Sequence, residues 1–308
     1  MFFLNNEKLN IIDTADYNLF ESIKIENFKN AAKYILGERI SEYGISPICV
    51  YAPYDNVKYA VYNDFLLTCY IEDDVMFTGI SGDYTSPLFE TVLKELYEIN
   101  GYLNLKYLST HKKDRIKSIF NAYAIKEKTE ADQYDYLYER ESFINLSGRK
   151  NRHKRENYNY FINNYNYSYK EMTKENAPDC MSITEAWCER KNCNECEYCC
   201  EKDIISVLID NWDKYPIEGG LIYIDNKPAA FLMAEPVGNV LMGYHQKTLS
   251  PEIRGLGYAI YIEALKSNFS HLQYFNIGPD IGISGLRQFK RSFKPFELVE
   301  KWELNISD

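Results

Sequence analysis

The stretch Val240–Lys266 constrains the fold of this chain more than any other part of the sequence. It begins as an apolar run of strand-forming residues, breaks at Ser250-Pro251, and resumes with apolar residues at helical spacing. The break contains Gly255 and Gly257, which leave the backbone uncovered where the helix begins. Because the first turn of a helix has unpaired donors and a partial positive charge, this unit predicts a phosphate or pyrophosphate site. The alternative is an ordinary strand-to-helix connection whose glycines serve only the turn.

The residues around this turn form the pattern Leu249-x-Pro251-x-x-Arg254-Gly255-x-Gly257-x-Ala259. They are similar to the acyl-CoA loop of the GNAT N-acyltransferase superfamily, whose signature is Arg/Gln-x-x-Gly-x-Gly/Ala and which holds the CoA pyrophosphate. The stretch lacks the G-x-G-x-x-G of a dinucleotide site and the Gly-Lys-Ser/Thr of a P-loop. The resemblance implies an acyl-CoA or CoA site, and the residues expected to bind this donor are Leu249, Arg254, Gly255, Leu256, Gly257, Tyr258 and Ala259.

Composition limits the class of protein. The chain has 308 residues, enough for two domains, and its 45% apolar and 26% charged residues are typical of a globular protein. A net charge of −10 argues against a broad nucleic-acid-binding surface. No apolar run approaches the ~20 residues that span a bilayer, and the N-terminus does not look like a signal peptide. We therefore expect a cytoplasmic protein whose eight cysteines are mostly reduced.

The first half of the chain has an α/β pattern. A helix is predicted near Phe28–Leu36, and another begins at Ser86-Pro87 and ends at Gly101. Aromatic-rich runs separated by turn residues predict antiparallel strands at Ser46–Tyr54, Tyr59–Tyr70 and Val75–Ile80. A strand, a short helix and another strand follow. Residues 1–130 are thus predicted as one domain, with a structural or acceptor-binding role because no second glycine loop is visible.

The second half repeats this order, so residues 131–308 are predicted as a second copy of the fold that holds the donor. Its strands are predicted at Tyr134–Arg140, Ile217–Ile224, Ala229–Val237, Val240–Leu249, Gln273–Asn276 and Glu297–Leu304, with a helix at Ile283–Arg291 before the last strand.

A basic run lies near the start of this second half. Five of the seven residues from Arg149 to Arg155 are basic in an otherwise acidic protein, and an amphipathic helix continues from them. Most charge runs are solvated helix faces. The alternative is an anion site, in which Arg149, Lys150 and Lys154 bind a phosphate-bearing donor or substrate.

The same segment resembles the family of phosphatidylglycerol lysyltransferase C-terminal domains, which carries a Leu-x-Gly-Lys/Arg-Lys core and then a basic helix. The matching residues are Leu146, Gly148, Arg149, Lys150, Lys154 and Arg155, while Glu156 interrupts the family's Arg-Asn pair. The resemblance continues towards the C-terminus in a pattern formed by Asn276, Asp280, Gly282, Gly285, Leu286, Arg287 and Lys290.

This resemblance implies an α/β (α+β) fold of two tandem GNAT-like domains, each a mixed, largely antiparallel sheet flanked by helices. Founding members of the family move lysine from aminoacyl-tRNA to a lipid headgroup and carry a large membrane domain. No segment of this sequence resembles that membrane domain, so the lipid reaction is not carried over.

Several cysteines cluster in the second half. Thiolates separated by two residues can bind zinc or an iron–sulfur cluster, which makes Cys193, Cys196 and Cys199 candidate zinc ligands. The distant second Cys-x-x-Cys pair of a zinc ribbon is missing, so reduced loop thiols are the alternative. The flanking runs Ile183–Trp187 and Ile204–Ile209 are predicted helices.

Amine acylation needs a base that accepts the ammonium proton. His245 lies on the strand before the glycine turn, and histidine is the residue type most often used as a general base near neutral pH, whereas Glu235 lies on the preceding strand. The family pattern adds Asp280 as a catalytic candidate and Arg287 as a substrate-binding candidate. Both also fit a cap and ion pair that only shape the predicted helix Ile283–Arg291.

Taken together, the sequence predicts a soluble acyltransferase that uses acyl-CoA to acylate the amine of a small molecule or lipid headgroup. One alternative is an aminoacyl-tRNA-dependent aminoacyltransferase, which the acidic charge disfavours. Another is a non-catalytic CoA-binding or metal-responsive protein.

Overall fold

The structure is a computed structural model that describes residues 21–22, 33–35, 37–55, 57–72, 75–191 and 201–308. These residues form two compact units. Unit 1 comprises the described residues up to Tyr134 together with Val299–Asp308, and unit 2 comprises those of Asp135–Leu298. Within the described ranges, no helix has both the length and the apolar character needed to cross a membrane. Most of the predicted helix Phe28–Leu36 lies outside these ranges.

Unit 1 is built on a seven-stranded sheet. Its strands are β1 (Glu21–Ser22), β2 (Lys58–Tyr62), β3 (Phe65–Glu72), β4 (Val75–Ser81), β5 (Leu103–Leu108), β6 (Ala124–Thr129) and β14 (Trp302–Ser307). Its helices are α1 (Ile45–Asp55), α2 (Pro87–Asn100) and α3 (Thr110–Ile119). The strand order is β1-β2-β3-β4-β5-β14-β6. Strands β1 to β4 are antiparallel, β4 and β5 are parallel, and β14 is antiparallel to both of its neighbours.

The start and end of α2 follow the predicted signals. The Ser86 side chain accepts a hydrogen bond from the Leu88 N–H, Pro87 occupies the first helical position, and Gly101 ends the helix with a φ of 72°. The apolar stripe of α2, including Phe89 and Leu93, packs into the core of unit 1. The capping residues and the apolar stripe, both visible in the local sequence, therefore account for the bounds and the buried face of α2.

Unit 2 is built on a second seven-stranded sheet. Its strands are β7 (Asp135–Glu139), β8 (Tyr167–Glu171), β9 (Glu218–Ile224), β10 (Lys227–Val237), β11 (Val240–Thr248), β12 (Tyr274–Asn276) and β13 (Glu297–Val299). Its helices are α4 (Arg140–Asn145), α5 (Arg152–Asn164), α6 (Asp179–Lys191), α7 (Glu201–Asp210), α8 (Leu256–Lys266) and α9 (Ser284–Ser292). The strand order is β13-β7-β12-β11-β10-β9-β8. Strands β8 to β11 are antiparallel, β11 and β12 are parallel, and β7 is antiparallel to β12.

The two sheets therefore share one strand order. Each has an antiparallel meander, then a parallel neighbour, then an inserted antiparallel strand and an edge strand. The inserted strand is β14 in unit 1 and β7 in unit 2. This matches the prediction of two copies of one mixed sheet flanked by helices.

Two of the predicted strands in unit 1 are wrong. Ser46–Tyr54 lies in helix α1, where the buried Ile45 and Cys49 are one helical turn apart and Pro47 lies in the first turn. A short apolar run does not distinguish a buried helix from a strand. Tyr59–Tyr70 is two strands, because Asn63 and Asp64 both adopt positive φ and form a tight turn between β2 and β3.

The predicted final strand, Glu297–Leu304, is also wrong, because the chain forms two strands there in different units. Strand β13 ends at Val299, whereas β14 pairs with β5 and β6 and contributes Leu304 and Ile306 to the core of unit 1. Lys301, between them, is buried and lies 2.7 Å from Glu42. The structure thus divides the chain differently from the predicted domains 1–130 and 131–308.

Candidate functional site

Strand β11 is paired along its whole length on one side but only at its start on the other. Strand β10 pairs with it from Val240 to Thr248, whereas the parallel pairing with β12 covers Val240–Met242. In the described part of the chain, β12 does not pair with β11 beyond Met242. A bulge at Tyr244 shifts the register with β10, a feature common beside active sites. The Thr248 carbonyl accepts a hydrogen bond from Arg190 at 2.9 Å, so the part of this edge that can accept an extended, amide-containing ligand through main-chain hydrogen bonds is Gly243–Lys247.

The two glycines that follow β11 have different structural roles. Gly255 has a φ of 88°, and a Cβ there would lie 2.1 Å from the carbonyl oxygen of Asn157 in α5, so it allows close packing of α8 on α5. Gly257 lies in the first turn of α8, and apart from its chain neighbours and the backbone of its own helix no heavy atom comes within 4 Å of the position of its Cβ. The open surface at the start of α8 is therefore at Gly257.

The backbone donors at this helix end are fewer than the sequence predicted. The Leu256 N–H donates to Ile253, and the N–H groups of Tyr258 and Ala259 both donate to the Gly255 carbonyl. Leu256 and Ala259 are buried, and Tyr258 stacks on Phe289 at 6.2 Å between ring centroids. What remains for an anion is the positive end of α8 and the uncovered surface at Gly257.

Arg254 and Leu249 border this surface but are held by other parts of unit 2. The Nε of Arg254 donates to Asn157 Oδ1 at 2.8 Å, and its guanidinium lies 4.5 Å from the Tyr160 ring centroid, yet the residue is exposed. The Leu249 carbonyl accepts a hydrogen bond from Arg190 of α6, and its N–H donates to Ala229. Sequence reasoning missed Asn157, which contacts both Arg254 and Gly255.

The basic run at the start of α5 divides into exposed and structural residues. Arg149 and Lys150 are exposed. Lys154 is buried and donates to the Ser292 carbonyl at 2.6 Å, and this burial lowers the pKa of Lys154. Arg155 donates to the Leu146 carbonyl and, at 2.8 Å, to that of Gly148. Lys154, a predicted substrate-binding residue, thus holds α5 to the end of α9.

His245 belongs to a polar group that sequence reasoning missed. Its Nδ1 lies 2.9 Å from Oε1 of Glu201, the first residue of α7, and Oε2 of Glu201 accepts from Lys247 at 2.8 Å. The Lys247 ammonium lies 3.6 Å from the Trp187 ring centroid. Burial raises the pKa of Glu201, but the hydrogen bond from His245 and the charge of Lys247 outweigh it and lower this pKa to about 2. Glu201 therefore carries a negative charge at neutral pH.

Glu235, the second catalytic candidate, is fully buried on β10. It is opposite Met242 in the register, and strand alternation places it on the same face of the sheet as His245 and Lys247. This face is opposite the one that carries Leu241 and Ala234 against α8.

Asp280 and Arg287 form an ion pair inside unit 2. Both carboxylate oxygens of Asp280 accept from the guanidinium, Oδ2 also accepts from Tyr136 at 2.6 Å, and Oδ1 accepts from the Gly282 N–H at 3.0 Å. The Arg287 hydrogen bond is the main cause that lowers the pKa of Asp280 well below its usual range, against the opposing effect of burial. Asp280 is therefore a poor proton acceptor. The ion pair of the structural alternative is present, but the Asp280 side chain does not cap α9, because the N-cap residue is Ile283 and it has no side-chain cap hydrogen bond.

Other residues of the family-like pattern shape the same loop. Lys290 is buried, and its ammonium donates to the carbonyls of Ile277, Gly278 and Pro279 at 2.6, 3.0 and 2.6 Å. Asn276 accepts from the Gly278 N–H at 2.7 Å. These residues hold the loop between β12 and α9 in one conformation.

The candidate zinc ligands Cys193, Cys196 and Cys199 lie outside the described residues. Within the part of the chain that the structure describes, no group of three His, Cys, Asp or Glu side chains is arranged to hold a metal ion. The flanking helices α6 and α7 are present as predicted.

Known proteins resemble this chain in structure at low sequence identity. A crystal structure of a conserved protein of unknown function from Bacteroides thetaiotaomicron matches with a TM-score of 0.85 and 22% identity, over 94% of this chain and 99% of that one. L-PGS from Bacillus licheniformis matches with a TM-score of 0.66 and 14% identity, over 93% of each chain. FemX matches with a TM-score of 0.62 and 8% identity, over 92% of this chain and 96% of that one. No curated protein matches the sequence.

These likenesses confirm the predicted tandem GNAT-like fold. The sequence itself matches the family described as "Phosphatidylglycerol lysyltransferase, C-terminal" over residues 35–304, most of the chain. The chain therefore belongs to the family of phosphatidylglycerol lysyltransferase C-terminal domains.

Proposed function

We propose that this protein is an N-acyltransferase that takes an acyl group from acyl-CoA and transfers it to an amine, with the donor bound by unit 2. The observation that carries this proposal is the order of two features along one short segment. The edge of β11 at Gly243–Lys247, which β12 does not pair with, is followed after a short connection by the uncovered helix start at Gly257. CoA has a matching order, with amide groups in its pantetheine arm and then a pyrophosphate.

The residues of this segment fit such a donor. Amides of an extended arm can pair with the backbone of Gly243–Lys247, as a peptide adds to a sheet edge. The positive end of α8 favours an anion by about 0.3–1 kcal/mol. Arg254, which is exposed beside it, adds a positive charge. When bound, acyl-CoA supplies an acyl group activated as a thioester.

His245 is the proposed base, since it lies on the same open stretch of β11. Glu201 contacts Nδ1, and this arrangement directs Nε2 away from the carboxylate, as in other histidine bases oriented by an acid. A base placed in this way accelerates transfer by about 10²–10⁴-fold. Its role is to accept the proton that the amine loses.

Calorimetric titration of CoA into the protein tests donor binding. Gly257→Val places a side chain where the pyrophosphate is proposed to lie and should weaken binding about tenfold or more, which corresponds to about 1.4 kcal/mol. Gly285→Val is the matched control, because Gly285 is also in a first helical turn, and apart from its chain neighbours and its own helix backbone no heavy atom lies within 4 Å of its Cβ position. This control should bind CoA like the wild type.

Two results would contradict the proposal. One is the absence of binding to wild-type protein at millimolar CoA. The other is equal affinity of wild-type protein and Gly257→Val, with circular dichroism showing that the variant is folded.

An aminoacyl-tRNA donor is the second candidate. Family membership favours it, because the family's name describes a lysyl transfer, and Arg149 and Lys150 are exposed cations near the start of α5. Phosphate contacts from these residues would make binding strongly salt-dependent. A gel-shift titration with total tRNA decides between the donors, since this candidate predicts a shift that Arg149→Gln with Lys150→Gln removes and that CoA does not compete away.

A further inference from the structure

Arg254 is exposed beside the proposed donor site, but two residues of α5 hold its side chain. Its Nε donates to Asn157 Oδ1 at 2.8 Å, and the guanidinium lies 4.5 Å from the Tyr160 ring centroid. Within the described residues, no protein group accepts a hydrogen bond from either Nη atom. Because Nε and one face of the guanidinium are already engaged, the donors left for a ligand are the two Nη groups.

Asn157 can hold Arg254 in only one way. It is buried, and its side-chain amide has a neighbour on each side. Because arginine can only donate, the amide oxygen must face Arg254. The amide nitrogen then lies 3.1 Å from Nε2 of His153, one helical turn earlier, and donates to it. A flipped amide would set a donor against the Nε of Arg254, so the observed orientation is the favourable one.

The backbone of Asn157 contacts the same turn. Its carbonyl oxygen lies 2.1 Å from the position that a Cβ would take at Gly255, the residue after Arg254. Helix α5 therefore touches both the side chain of Arg254 and the backbone beside it. This double contact fixes where the guanidinium lies relative to the start of α8.

Asn157 orients Arg254 without neutralising its charge. An amide is an uncharged acceptor, and within the described part of the chain Arg254 forms no salt bridge. The carboxylate influenced by its charge is that of Glu156. The pKa of Glu156 is lowered mainly by the hydrogen bond from Arg152 at 2.7 Å, and the charge of Arg254 contributes least. The positive charge of Arg254 is therefore available to an anion.

We propose that Asn157 is a positioning residue that presents the two Nη groups of Arg254 to a phosphate of the donor. The proposal rests on the proposed donor site at Gly257, three residues after Arg254. Two parallel N–H donors match two oxygens of one phosphate, and a guanidinium that is already held loses little further freedom on binding. Unit 2 therefore selects thioester donors that carry a pyrophosphate over pantetheine thioesters that carry none.

Calorimetric titration of the full chain with acetyl-CoA and with acetyl-pantetheine, which has the same thioester arm without phosphates, tests this selection. We expect wild-type protein to bind acetyl-CoA at least about tenfold more tightly. Asn157→Asp keeps an acceptor for Arg254 but neutralises its charge, so it should weaken acetyl-CoA binding at least about tenfold and leave acetyl-pantetheine binding unchanged. Asn159→Asp is the matched control, because it adds the same charge at an exposed position on another face of α5. It should bind both probes like the wild type.

A double-mutant cycle separates positioning from packing. Asn157→Ala, which removes the acceptor, should weaken acetyl-CoA binding in the wild-type background but have little effect in an Arg254→Gln background, because Asn157 acts through Arg254. Arg254→Lys keeps the charge at an exposed position but lacks the two Nη groups, and it should also weaken acetyl-CoA binding. This variant decides the case if circular dichroism shows that a variant of Asn157 is unfolded.

Four results would overturn the positioning role and leave the donor site standing. They are equal affinity of wild-type protein for the two probes, acetyl-CoA affinity of Asn157→Asp equal to that of wild type, the same equality for Arg254→Lys, and additive effects in the cycle. Wild-type protein that does not bind acetyl-CoA would contradict the donor site and the positioning role together.

Discussion

Asp280 and Arg287 meet through two hydrogen bonds, with Nε 2.9 Å from Oδ2 and Nη2 2.7 Å from Oδ1. Tyr136 and the Gly282 N–H also donate to the same carboxylate. Both residues belong to the pattern by which the sequence resembles its family. In this chain the pattern therefore holds the loop before α9 in one conformation.

Asp280→Asn should destabilise the protein at neutral pH. We expect a loss of about 2 kcal/mol, less than the 3–5 kcal/mol for a fully buried pair, because Arg287 is partly exposed. The pKa of Asp280 is lowered in the folded state, so its stabilisation is complete above its unfolded pKa of about 3.9 and is lost as the pH falls below it. The difference between wild type and variant should therefore shrink below about pH 4.

Urea denaturation at several pH values measures this difference. Arg287→Lys is a useful companion, because it keeps the charge but loses the two-point geometry. A difference that stays the same from neutral to acidic pH would show that the charge of Asp280 is unimportant for folding.

Gly255 and Gly257 form a matched pair for separating packing from ligand binding. Gly255→Ala adds a Cβ 2.1 Å from the Asn157 carbonyl at a φ of 88°, and we expect a loss of about 2–4 kcal/mol from strain and overpacking. Gly257→Ala enters open space on a helix, so stability should stay within about 1 kcal/mol of wild type. Thermal denaturation of both variants checks this, and equal effects would contradict the assigned roles.

His245 and Glu201 should affect acyl transfer more than donor binding. We expect His245→Gln to lower kcat by about 10²-fold or more, and Glu201→Gln to lower it less, because the imidazole remains but is no longer oriented. Thiol release from acetyl-CoA with a panel of amines measures the rate, and calorimetry measures CoA affinity. An active His245→Gln variant would exclude His245 as the base, and wild-type protein that binds CoA without transfer would favour a non-catalytic role.

Strand β14 makes unit 1 depend on the end of the chain. A chain that stops after Leu298 lacks the strand between β5 and β6, and we expect it to lose the protected amides of unit 1. Adding a peptide of residues 299–308 should restore part of this protection. Hydrogen exchange measures both effects, and an unchanged unit 1 in the truncated chain would contradict the observed sheet order.

Much of the site's backbone was predictable from local sequence. The apolar run, the Ser250-Pro251 break and the two glycines define β11 and the start of α8 because strand, turn and helix signals are local. The caps of α2 were predictable for the same reason. The assignment of β13 and β14 to different sheets was not predictable, since alternation of apolar and polar residues does not indicate which sheet a strand joins.

The side-chain contacts of the site were less predictable. Glu201 and His245 are far apart in the sequence, and no local sequence pattern around either residue indicates that they are in contact. The inward position of Lys154 was not predictable either, because a run of charges does not indicate which side chain turns inward to donate to the carbonyl of Ser292. Such contacts depend on tertiary packing.

Hydrogen exchange with and without acetyl-CoA tests the central claim most directly, because it reports the open strand edge and the helix start in one experiment. Saturating acetyl-CoA should slow exchange of the backbone amides in Gly243–Lys247 and in the first turn of α8. The first turn of α9, at Ser284–Leu286, serves as the internal control and should not change. Saturating acetyl-CoA that leaves both Gly243–Lys247 and the start of α8 unchanged would contradict the proposed donor site.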